Sequence, residues 1–323
     1  MPRRRTLLAG LPLLAAQRAV AEDARYPSRP VRLIIPVAVA GVTDVVGRIL
    51  ADAMSQRLGQ PVVPENIVGA GSTVGAAAFQ RAPADGYTLF IATNNHTAMR
   101  ALYPAIPFDP VADFVPLALV ARQPFVLAVN PEVPAQDVAG LLAWLRQQRD
   151  AANYGATNRG GSNHLAGELL RQLARLEFTI VPYRAAAASV QDLVAGRVQL
   201  TIDSPTMLLP LMQEGRVRGL AVSTAGRSAL VPGLPSLGEA GVAGYEMTVW
   251  QALFARPGTP ASALAALERA AREGVADPAV QARLRAAGCE TWPDSSPAAA
   301  ATLLRAELDR WGPILAGIER QPN

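Results

Sequence analysis

After an apolar N-terminal segment, short apolar runs alternate along the chain with apolar residues at helical spacing. The runs predict β-strands at residues 31–35, 62–63, 88–93, 115–121, 125–129, 153–156, 179–181, 200–202 and 220–223. The spaced positions predict helices at 45–58, 73–81, 138–148, 164–176, 187–195 and 207–213, and a mainly helical tail at 261–315. This alternation is typical of α/β layers with mostly parallel sheets.

The pattern changes character near residues 129–131, where an apolar stretch leads into proline-rich sequence, and near 241–249, where an extended pattern returns. We interpret these places as crossings between a discontinuous first domain and an inserted second one. The predicted division is a signal at 1–21, a first domain at 22–128 and 248–323, and a second domain at 129–247. The predicted fold class is α/β, with two Rossmann-like domains and mixed, mostly parallel sheets around a central cleft.

The N-terminal segment has the three parts of an export signal. Residues 3–5 are a run of arginines, residues 7–16 are apolar, and Ala19-Val20-Ala21 is a cleavage site of small residues. The apolar run is too short to span a bilayer stably. The pattern predicts a periplasmic protein cleaved near Ala21. Because two arginines precede Thr6-Leu7-Leu8, twin-arginine export stays open beside ordinary Sec export.

The composition excludes several kinds of chemistry. All 30 basic residues are arginine, which rules out Schiff-base lysine chemistry and a P-loop lysine on this chain. Residues 1–21 contain four arginines and no acid, so the net charge of +4 falls to zero without them. No basic surface is then left to suggest a nucleic-acid partner. The single cysteine, Cys289, excludes an intrachain disulfide and is predicted to be a semi-buried structural residue.

A run of small residues, PVAVAGVTD at 36–44, lies between the first predicted strand and the first predicted helix. A tight turn without bulky side chains leaves backbone N–H groups free at the start of a helix. Together with the helix dipole, these donors suit a carboxylate, a phosphate or no ligand at all. The turn is therefore the first candidate binding element.

Three further turns follow predicted strands. GAGSTVGA at 69–76 matches GxGxxxG and not the dinucleotide motif GxGxxG, so close helix–sheet packing is a sufficient explanation. TNRGGSN at 157–163 offers backbone donors, the Ser162 hydroxyl, two amides and the Arg159 guanidinium. Asp203 ends an apolar strand, where α/β proteins tend to place ligand groups. Four such turns, two in each predicted domain, predict a ligand in a cleft between the domains.

The sequence gives little support for catalysis. Of its two histidines, we expect His96 to line the cleft and His164 to be part of the start of a helix. The sequence lacks the spacing of a zinc site and the GxSxG motif of serine hydrolases. It therefore predicts no catalytic residue, no metal site and no cofactor.

Several strings occur in the order in which one known family carries them. They are YPSRPVRLIIP at 26–36, GAGSTVGA at 69–76, ADGYTL at 84–89, FDPVADF at 108–114, NHLAGEL at 163–169, VPYR at 181–184 and WGPI at 311–314. Together they resemble the periplasmic solute-binding proteins of the tripartite tricarboxylate transporter family, often called Bug proteins. The resemblance runs from about residue 26 to the C-terminus, and its unbroken order is highly specific.

The resemblance implies a type II periplasmic-binding-protein architecture, in which two α/β domains are joined by two crossover segments. It implies that a ligand carboxylate is held between residues 37–44 and 157–163 by backbone N–H groups, hydroxyls and bridging waters, with Asp203 near its far end. The candidate ligand residues are Val37, Ala38, Val39, Ala40, Gly41, Thr43, Asp44, Asn94, Thr157, Asn158, Arg159, Gly160, Gly161, Ser162, Asn163, Arg184 and Asp203.

The function implied by the resemblance is capture of a small organic anion and its delivery to membrane transporter subunits. The anion would be a mono-, di- or tricarboxylate or an acidic amino acid, and the protein is expected to act as a monomer, not as an enzyme. Asp44 is expected to be structural, bonding loop amides at the start of its helix.

This chain departs from the family pattern inside both loops. Val37 stands where phenylalanine is usual, and Ala40-Gly41 stands where two glycines are usual. Because alanine adopts positive φ less freely than glycine, either Ala40 has ordinary backbone angles or the loop is slightly reshaped. Arg159 either adds a positive group for a second carboxylate or points to solvent.

Two other functions stay open from the sequence. A ligand-loaded sensor subunit would contact a signalling partner in place of a permease, and a pull-down with and without ligand would separate the two. A nucleotide-dependent enzyme would use the turn at 69–75 and would retain NAD or a nucleotide. The identity of the ligand is open too, because Asp203 could accept from an ammonium or hydroxyl group or repel a second carboxylate.

Overall fold

The computed structural model of the protein describes residues 26–157 and 160–318, so the predicted signal at 1–21 lies outside the described residues. The strands are β1 (Val31–Ile35), β2 (Val62–Asn66), β3 (Thr88–Ala92), β4 (Val115–Gln123), β5 (Val126–Val129), β6 (Asn153–Ala156), β7 (Thr179–Pro182), β8 (Leu200–Asp203), β9 (Arg218–Val222) and β10 (Val249–Ala255). The α-helices are α1 (Val42–Leu58), α2 (Thr73–Arg81), α3 (Asn95–Leu102), α4 (Val138–Gln148), α5 (Ser162–Leu173), α6 (Ala186–Val194), α7 (Pro205–Gln213), α8 (Ala261–Ala276), α9 (Pro278–Ala286) and α10 (Pro297–Ile318).

The described strands form two five-stranded sheets of the same design, with orders β2-β1-β3-β10-β4 and β7-β6-β8-β5-β9. In the first sheet β1 pairs in parallel with β2 and β3, and β10 runs antiparallel between β3 and β4. In the second sheet β6 pairs in parallel with β7 and β8, and β5 runs antiparallel between β8 and β9. The fold is therefore α/β with two mixed sheets, as predicted. Among the described strands, however, parallel pairs do not outnumber antiparallel ones.

The chain crosses between the sheets twice. It leaves the first sheet where β4 ends at Gln123 and enters the second where β5 begins at Val126. This crossing precedes the boundary that we predicted after residue 128, because residues 126–129 pair within the second sheet. The chain returns between the end of β9 and the start of β10 at Val249, and the domain division itself stays a prediction.

Helices cover both faces of each sheet. Leu33 and Ile35 of β1 pack toward α1 and α8, while Ile34 packs on the opposite face with residues of α2 and α10. Complete burial of such side chains stabilises a fold by about 1.5–3 kcal/mol each. The first part of α10 packs against the first sheet through Leu304, whereas Trp311 joins the core of the second sheet. This helix therefore ties the two sheets together.

The two helices that lead out of the candidate loops begin earlier than the sequence predicts. α1 begins at Val42 and α5 at Ser162, since the preceding Gly41 and Gly161 have extended backbone angles that end the loops. Thr43 and Asp44 therefore lie in the first turn of α1, and Asn163 lies in the first turn of α5.

The sequence pattern did not predict α3 or β10. α3 begins at the second residue of the asparagine pair at 94–95 and has few apolar positions, so its period is hard to recognise. β10 is a nearly continuous apolar run, VWQALFA, which periodicity alone does not assign to strand or helix. Within residues 26–157 and 160–318, no helix has both the length and the apolar character that crossing a membrane requires.

Candidate functional site

The first candidate loop leaves the carboxyl end of β1 and enters α1. Its residues 38–41 are exposed, and Val39 is 66% exposed. Val37 is half-buried and packs against the core beneath α1. Ala40 has φ of +67°, in the left-handed region that favours glycine. The alternative in which Ala40 has ordinary backbone angles is therefore wrong, and this loop carries the strain of a side chain at that position.

Asp44 holds this loop from the first turn of α1. Its buried carboxylate accepts hydrogen bonds from the backbone amide of Ala40 at 2.9 Å, from Nε of Arg48 at 3.0 and 3.1 Å, and from Nδ2 of Asn66 at 2.8 Å. Burial acts to raise the pKa of Asp44, but the hydrogen bonds from Arg48, Asn66 and Ala40 outweigh it and lower the pKa below its ordinary value. Asp44 therefore bonds a loop amide from the start of its helix, as expected for a structural residue.

Asn66, at the end of β2, is a supporting residue that sequence reasoning missed. Its Nδ2 donates to the carbonyl of Val37 at 3.0 Å as well as to Asp44, so one amide fixes both ends of the first loop. The start of the loop is held too, since the Ser72 hydroxyl donates to the carbonyl of Pro36 at 3.1 Å. The signal that could have identified Asn66 is an amide side chain at the carboxyl end of the strand beside β1.

The second candidate loop leaves the carboxyl end of β6 and enters α5. Thr157 is half-buried, Gly160 is buried with φ of +81°, and Gly161 and Ser162 are half-buried. Asn158 and Arg159 lie outside the described residues, so their predicted ligand contacts stay predictions.

Asn163 braces the second loop as Asp44 braces the first. Its Oδ1 accepts from the backbone amide of Thr157 at 3.0 Å and from the Thr157 hydroxyl at 2.5 Å. Its Nδ2 donates to Oδ2 of Asp203 at 2.9 Å, and its backbone carbonyl accepts from the Tyr154 hydroxyl at 2.6 Å. Asn163 thus connects the loop to the ends of two neighbouring strands, β6 and β8.

Asp203 is buried at the end of β8, and its carboxylate is used within the protein. Oδ2 accepts from Asn163, and Oδ1 accepts from the backbone amide of Ser204 at 2.7 Å. Burial raises the pKa of Asp203, although the donors on Ser204 and Asn163 act to lower it. Asp203 therefore positions Asn163, and its predicted contact with the far end of a ligand stays a prediction.

The two loops share one feature that bears on binding. Gly41 and Gly161 are the N-cap residues of α1 and α5, and glycine has no side chain that could accept from the first-turn amides. The first backbone N–H groups of a helix have no acceptor within the helix. Each loop therefore places first-turn N–H donors, with no side chain on the N-cap residue to accept from them, and the positive end of a helix dipole at the carboxyl edge of its sheet.

Comparison with known proteins decides the family. Residues 46–319 match the family described as "Tripartite tricarboxylate transporter family receptor". The chain belongs to this family. The predicted family is confirmed, and the match covers most of the chain and reaches from α1 to the C-terminal end of α10.

Individual relatives agree with the family match. The receptor is 35% identical over 324 residues to the "UPF0065 protein in tcbD-tcbE intergenic region" of Pseudomonas sp. strain P51, covering 99% of this chain and 96% of the relative. Among solved structures it is similar to R. palustris Rpa4515 with adipate, at 35% identity and a TM-score of 0.81, covering 90% of this chain and 98% of that one. It is also similar to MatC of Rhodopseudomonas palustris with bound malate, at 30% identity and a TM-score of 0.80, covering 90% and 100%. These neighbours confirm the two-part architecture of a type II periplasmic binding protein.

The receptor places Asn94 in the core and does not bring it to the two loops. Asn94 is completely buried, and its Nδ2 donates to the carbonyl of Thr248 at 3.0 Å and to Oε2 of Glu307 at 3.1 Å. Its Oδ1 accepts from the backbone amide of Trp250 at 3.2 Å. Both amide hydrogens are used, so the side chain anchors the end of β3 to β10 and α10.

The expectation that His96 lines the cleft is wrong. His96 is completely buried, with its ring 4.5 Å from that of Phe114 and 5.3 Å from that of Phe254, centroid to centroid. Burial lowers the pKa of His96 to about 4, against a smaller opposing effect of its hydrogen bond with the Pro110 carbonyl. His164 is part of the start of α5, as predicted, and its Nδ1 lies 3.3 Å from the Gly160 amide that donates to it.

Two predicted ligand residues, Thr43 and Arg184, remain to be placed. Thr43 is buried in the first turn of α1, and Arg184 is exposed after β7 without a described ion pair.

The turn at 69–75 is explained by packing, since a Cβ on Gly75 would lie 2.8 Å from both the carbonyl of Ile67 and Cβ of Pro36. No group of three or more potential metal ligands occurs within the described residues.

Two cavities lie away from the first loop and the second loop. One of about 180 Å³ borders the crossings between the sheets and is lined by charged residues including Arg122, Arg227, Glu246 and Glu290. The other, of about 340 Å³, lies between α7 and α9 and is lined mainly by apolar residues including Leu209 and Leu230. Neither cavity is lined by the starts of α1 and α5, so we assign the candidate site to the two loops.

Proposed function

We propose that this receptor binds a small organic carboxylate between its two loops and delivers it to the membrane subunits of a tripartite tricarboxylate transporter. The observation that carries the proposal is the pair of glycine-capped helix starts, Gly41 before α1 and Gly161 before α5. A carboxylate held by neutral N–H donors that are already in position gains hydrogen bonds without any reorganisation of charged side chains.

The hydrogen bonds that hold the two loops support this proposal. Asp44 and Asn163 hold the backbone amides of Ala40 and Thr157 in place before a ligand arrives, so less conformational entropy is lost when a ligand binds. The second loop also touches the first sheet's helices, because a Cβ on Gly160 would lie 2.5 Å from Cδ1 of Leu102 in α3. This contact is consistent with two sheets that close on a ligand as a clamp.

The solved neighbours support the ligand class. One is described with bound malate and another with adipate, and both molecules are small dicarboxylates. For this chain we propose the same class of ligand, but neither malate nor adipate in particular, since Val37 and Ala40 give its first loop a shape of its own. We propose further that the receptor releases its ligand chemically unchanged, acts as a monomer, and is located in the periplasm.

The test is isothermal titration of the protein lacking residues 1–21 with mono-, di- and tricarboxylates and acidic amino acids. Gly41→Asp places a carboxylate at the start of α1, where it would accept from the free amides and repel an anion. We expect this variant to keep its stability and to lose at least about tenfold in affinity. Pro260→Asp makes the same change at the uncapped start of α8, away from both loops, and should bind as the wild type does.

Two outcomes would contradict the proposal. The first is a complete panel without binding heat, and the second is unchanged affinity in Gly41→Asp. Light scattering of the same samples tests whether the protein is a monomer. The mass of the protein recovered from the periplasm tests whether the signal is cleaved near Ala21. A native mass spectrum before and after incubation shows whether the ligand mass changes.

A further inference from the structure

Gln251 is a buried side chain whose two polar atoms both lack a partner. It lies in β10, is 0% exposed, and neither Oε1 nor Nε2 has a hydrogen-bond partner among the described residues. Buried polar groups in native proteins are nearly always hydrogen-bonded, because leaving one unpaired is unfavourable. An amide with neither end satisfied therefore calls for a specific explanation.

The sheet register places Gln251 at the edge from which the first loop leaves. Ala252 of β10 pairs with Ala92, the last residue of β3, so Gln251 lies one position beyond the end of that strand. β1 pairs with β3, and the part of the chain that lies level with Gln251 along β1 comes just after Ile35, where the first loop begins. Gln251 is thus at the carboxyl edge of the first sheet and not in its interior.

Strand alternation gives the face on which this amide lies. Trp250, Ala252 and Phe254 pack on the face covered by α2 and α10, while Leu253 packs on the face covered by α1. Gln251 alternates with Trp250 and Ala252, and its cross-strand partner Ala121 belongs to the core beneath α1. The amide therefore lies on the same face as α1, whose start forms the first half of the proposed site.

A neighbouring glutamine shows what a satisfied amide does at this edge. Gln123 of β4 lies on the same face, two residues beyond Ala121, and is also buried. Its Nε2 donates to Oγ of Ser204 at 3.1 Å, across to the end of β8 beside Asp203. Gln251 thus lies on the α1 face of the first sheet, next to a residue that already reaches the second.

We propose that Gln251 is a ligand-binding residue that selects carboxylates carrying a hydroxyl or amino group next to the carboxyl carbon. Its amide presents one donor and one acceptor side by side, and a 2-hydroxy or 2-amino acid presents the complementary acceptor and donor. Nε2 donates to a carboxylate oxygen, and Oε1 accepts from the O–H or N–H of the ligand. A plain acid leaves Oε1 unpaired and therefore binds more weakly. This inference rests on the proposed function.

Matched acids test the inference by titration of the wild-type protein. Malate and aspartate are compared with succinate, and lactate with propionate, because each pair differs chiefly in the group beside the carboxyl carbon. We expect the hydroxy or amino acid of at least one pair to bind about tenfold or more tightly than its plain counterpart. Equal affinities within every pair would overturn this inference and leave the proposed function intact. Failure of every carboxylate to bind would overturn both.

Gln251→Met, with Gln251→Leu as a second variant, removes both polar atoms at similar size. Since it removes unpaired buried groups, it should leave the thermal midpoint of the ligand-free protein unchanged or raise it. It should also abolish the preference for the hydroxy or amino acid. Gln123→Met is the control, because it removes a buried hydrogen bond to Ser204 and should lower the midpoint without changing the affinity ratio. If the Gln251 variants kept the wild-type ratio, or lost affinity for all acids equally together with stability, the inference would be wrong.

Discussion

The backbone amide of Ala40 donates a 2.9 Å hydrogen bond to the carboxylate of Asp44, and Ala40 itself has φ of +67°. An L-residue in this region is strained by about 1–2 kcal/mol. The bond therefore holds the first loop in a conformation that is unfavourable for alanine. Glycine would adopt this backbone conformation without steric cost, so the strain comes from the Cβ of Ala40.

Replacing Ala40 by glycine should stabilise the protein. Glycine adopts positive φ without steric cost but loses more backbone entropy on folding, so we expect a net gain of about 1 kcal/mol in the free energy of unfolding. Urea denaturation measures it. The control is Ala38→Gly in the same exposed loop, where no positive φ is present and the change should be neutral or destabilising. Equal effects of the two substitutions would show that Ala40 is not strained.

Replacing Asp44 by alanine should destabilise the protein and weaken binding. The change leaves the amide of Ala40 without its acceptor and removes one of the two acceptors of Asn66 Nδ2, which we expect to cost about 2 kcal/mol. Asp52→Ala is the matched control on the same helix, because Asp52 is exposed and pairs with Arg283 at the surface. Such surface pairs contribute at most about 1 kcal/mol. Chemical denaturation and carboxylate titration measure the stability and the affinity of both variants. Similar losses in Asp44→Ala and Asp52→Ala would show that Asp44 does not hold the first loop.

Gly160→Ala tests the contact between the second loop and α3. The added Cβ would lie 2.5 Å from Cδ1 of Leu102, at a residue with φ of +81°. Gly215→Ala carries a similar backbone cost, at φ of +70°, with no atom of the described residues within 4 Å of the new Cβ. We expect Gly160→Ala to be more destabilising by about 1–3 kcal/mol and to reduce affinity as well. Rescue of both by adding Leu102→Ala would identify the contact as the cause, whereas equal effects at the two glycines would exclude it.

Asp203 should give the stability a defined dependence on pH. Its pKa is raised by burial above the ordinary value of 3.8, so the folded chain holds this proton more tightly than the unfolded chain. The contribution to stability is then greatest below the ordinary pKa and is lost as pH rises through the raised pKa. Asp203→Asn cannot titrate, so its stability relative to wild type should increase with pH over this window. Denaturation curves between about pH 4 and pH 8 measure this difference, and a difference independent of pH would contradict the prediction.

Local sequence patterns were sufficient for much of the fold. The predicted bounds of β1, β6, α2 and α4 are those of the structure. α3 was not predicted, since its few apolar positions follow two asparagines. The antiparallel course of β10 could not be predicted either, because it depends on which sheet the returning chain joins.

The candidate site shows the same limit. Both loops could be located from their small residues, but their braces join residues far apart in the chain, such as Asp44 with Asn66 and Asn163 with Asp203. His96 was misplaced because the rings that bury it, among them Phe254, come from distant elements. These contacts follow from the strand order of the two sheets, which a single sequence does not specify.

The most direct test of the central proposal is a crystal structure of the mature receptor with the acid that binds most tightly in titration. We predict that one ligand carboxylate lies at about 3 Å from first-turn backbone amides of both α1 and α5, next to Gly41 and Gly161. Ligand density in the cavity lined by Leu209 and Leu230, or at any place that touches neither loop, would contradict the account.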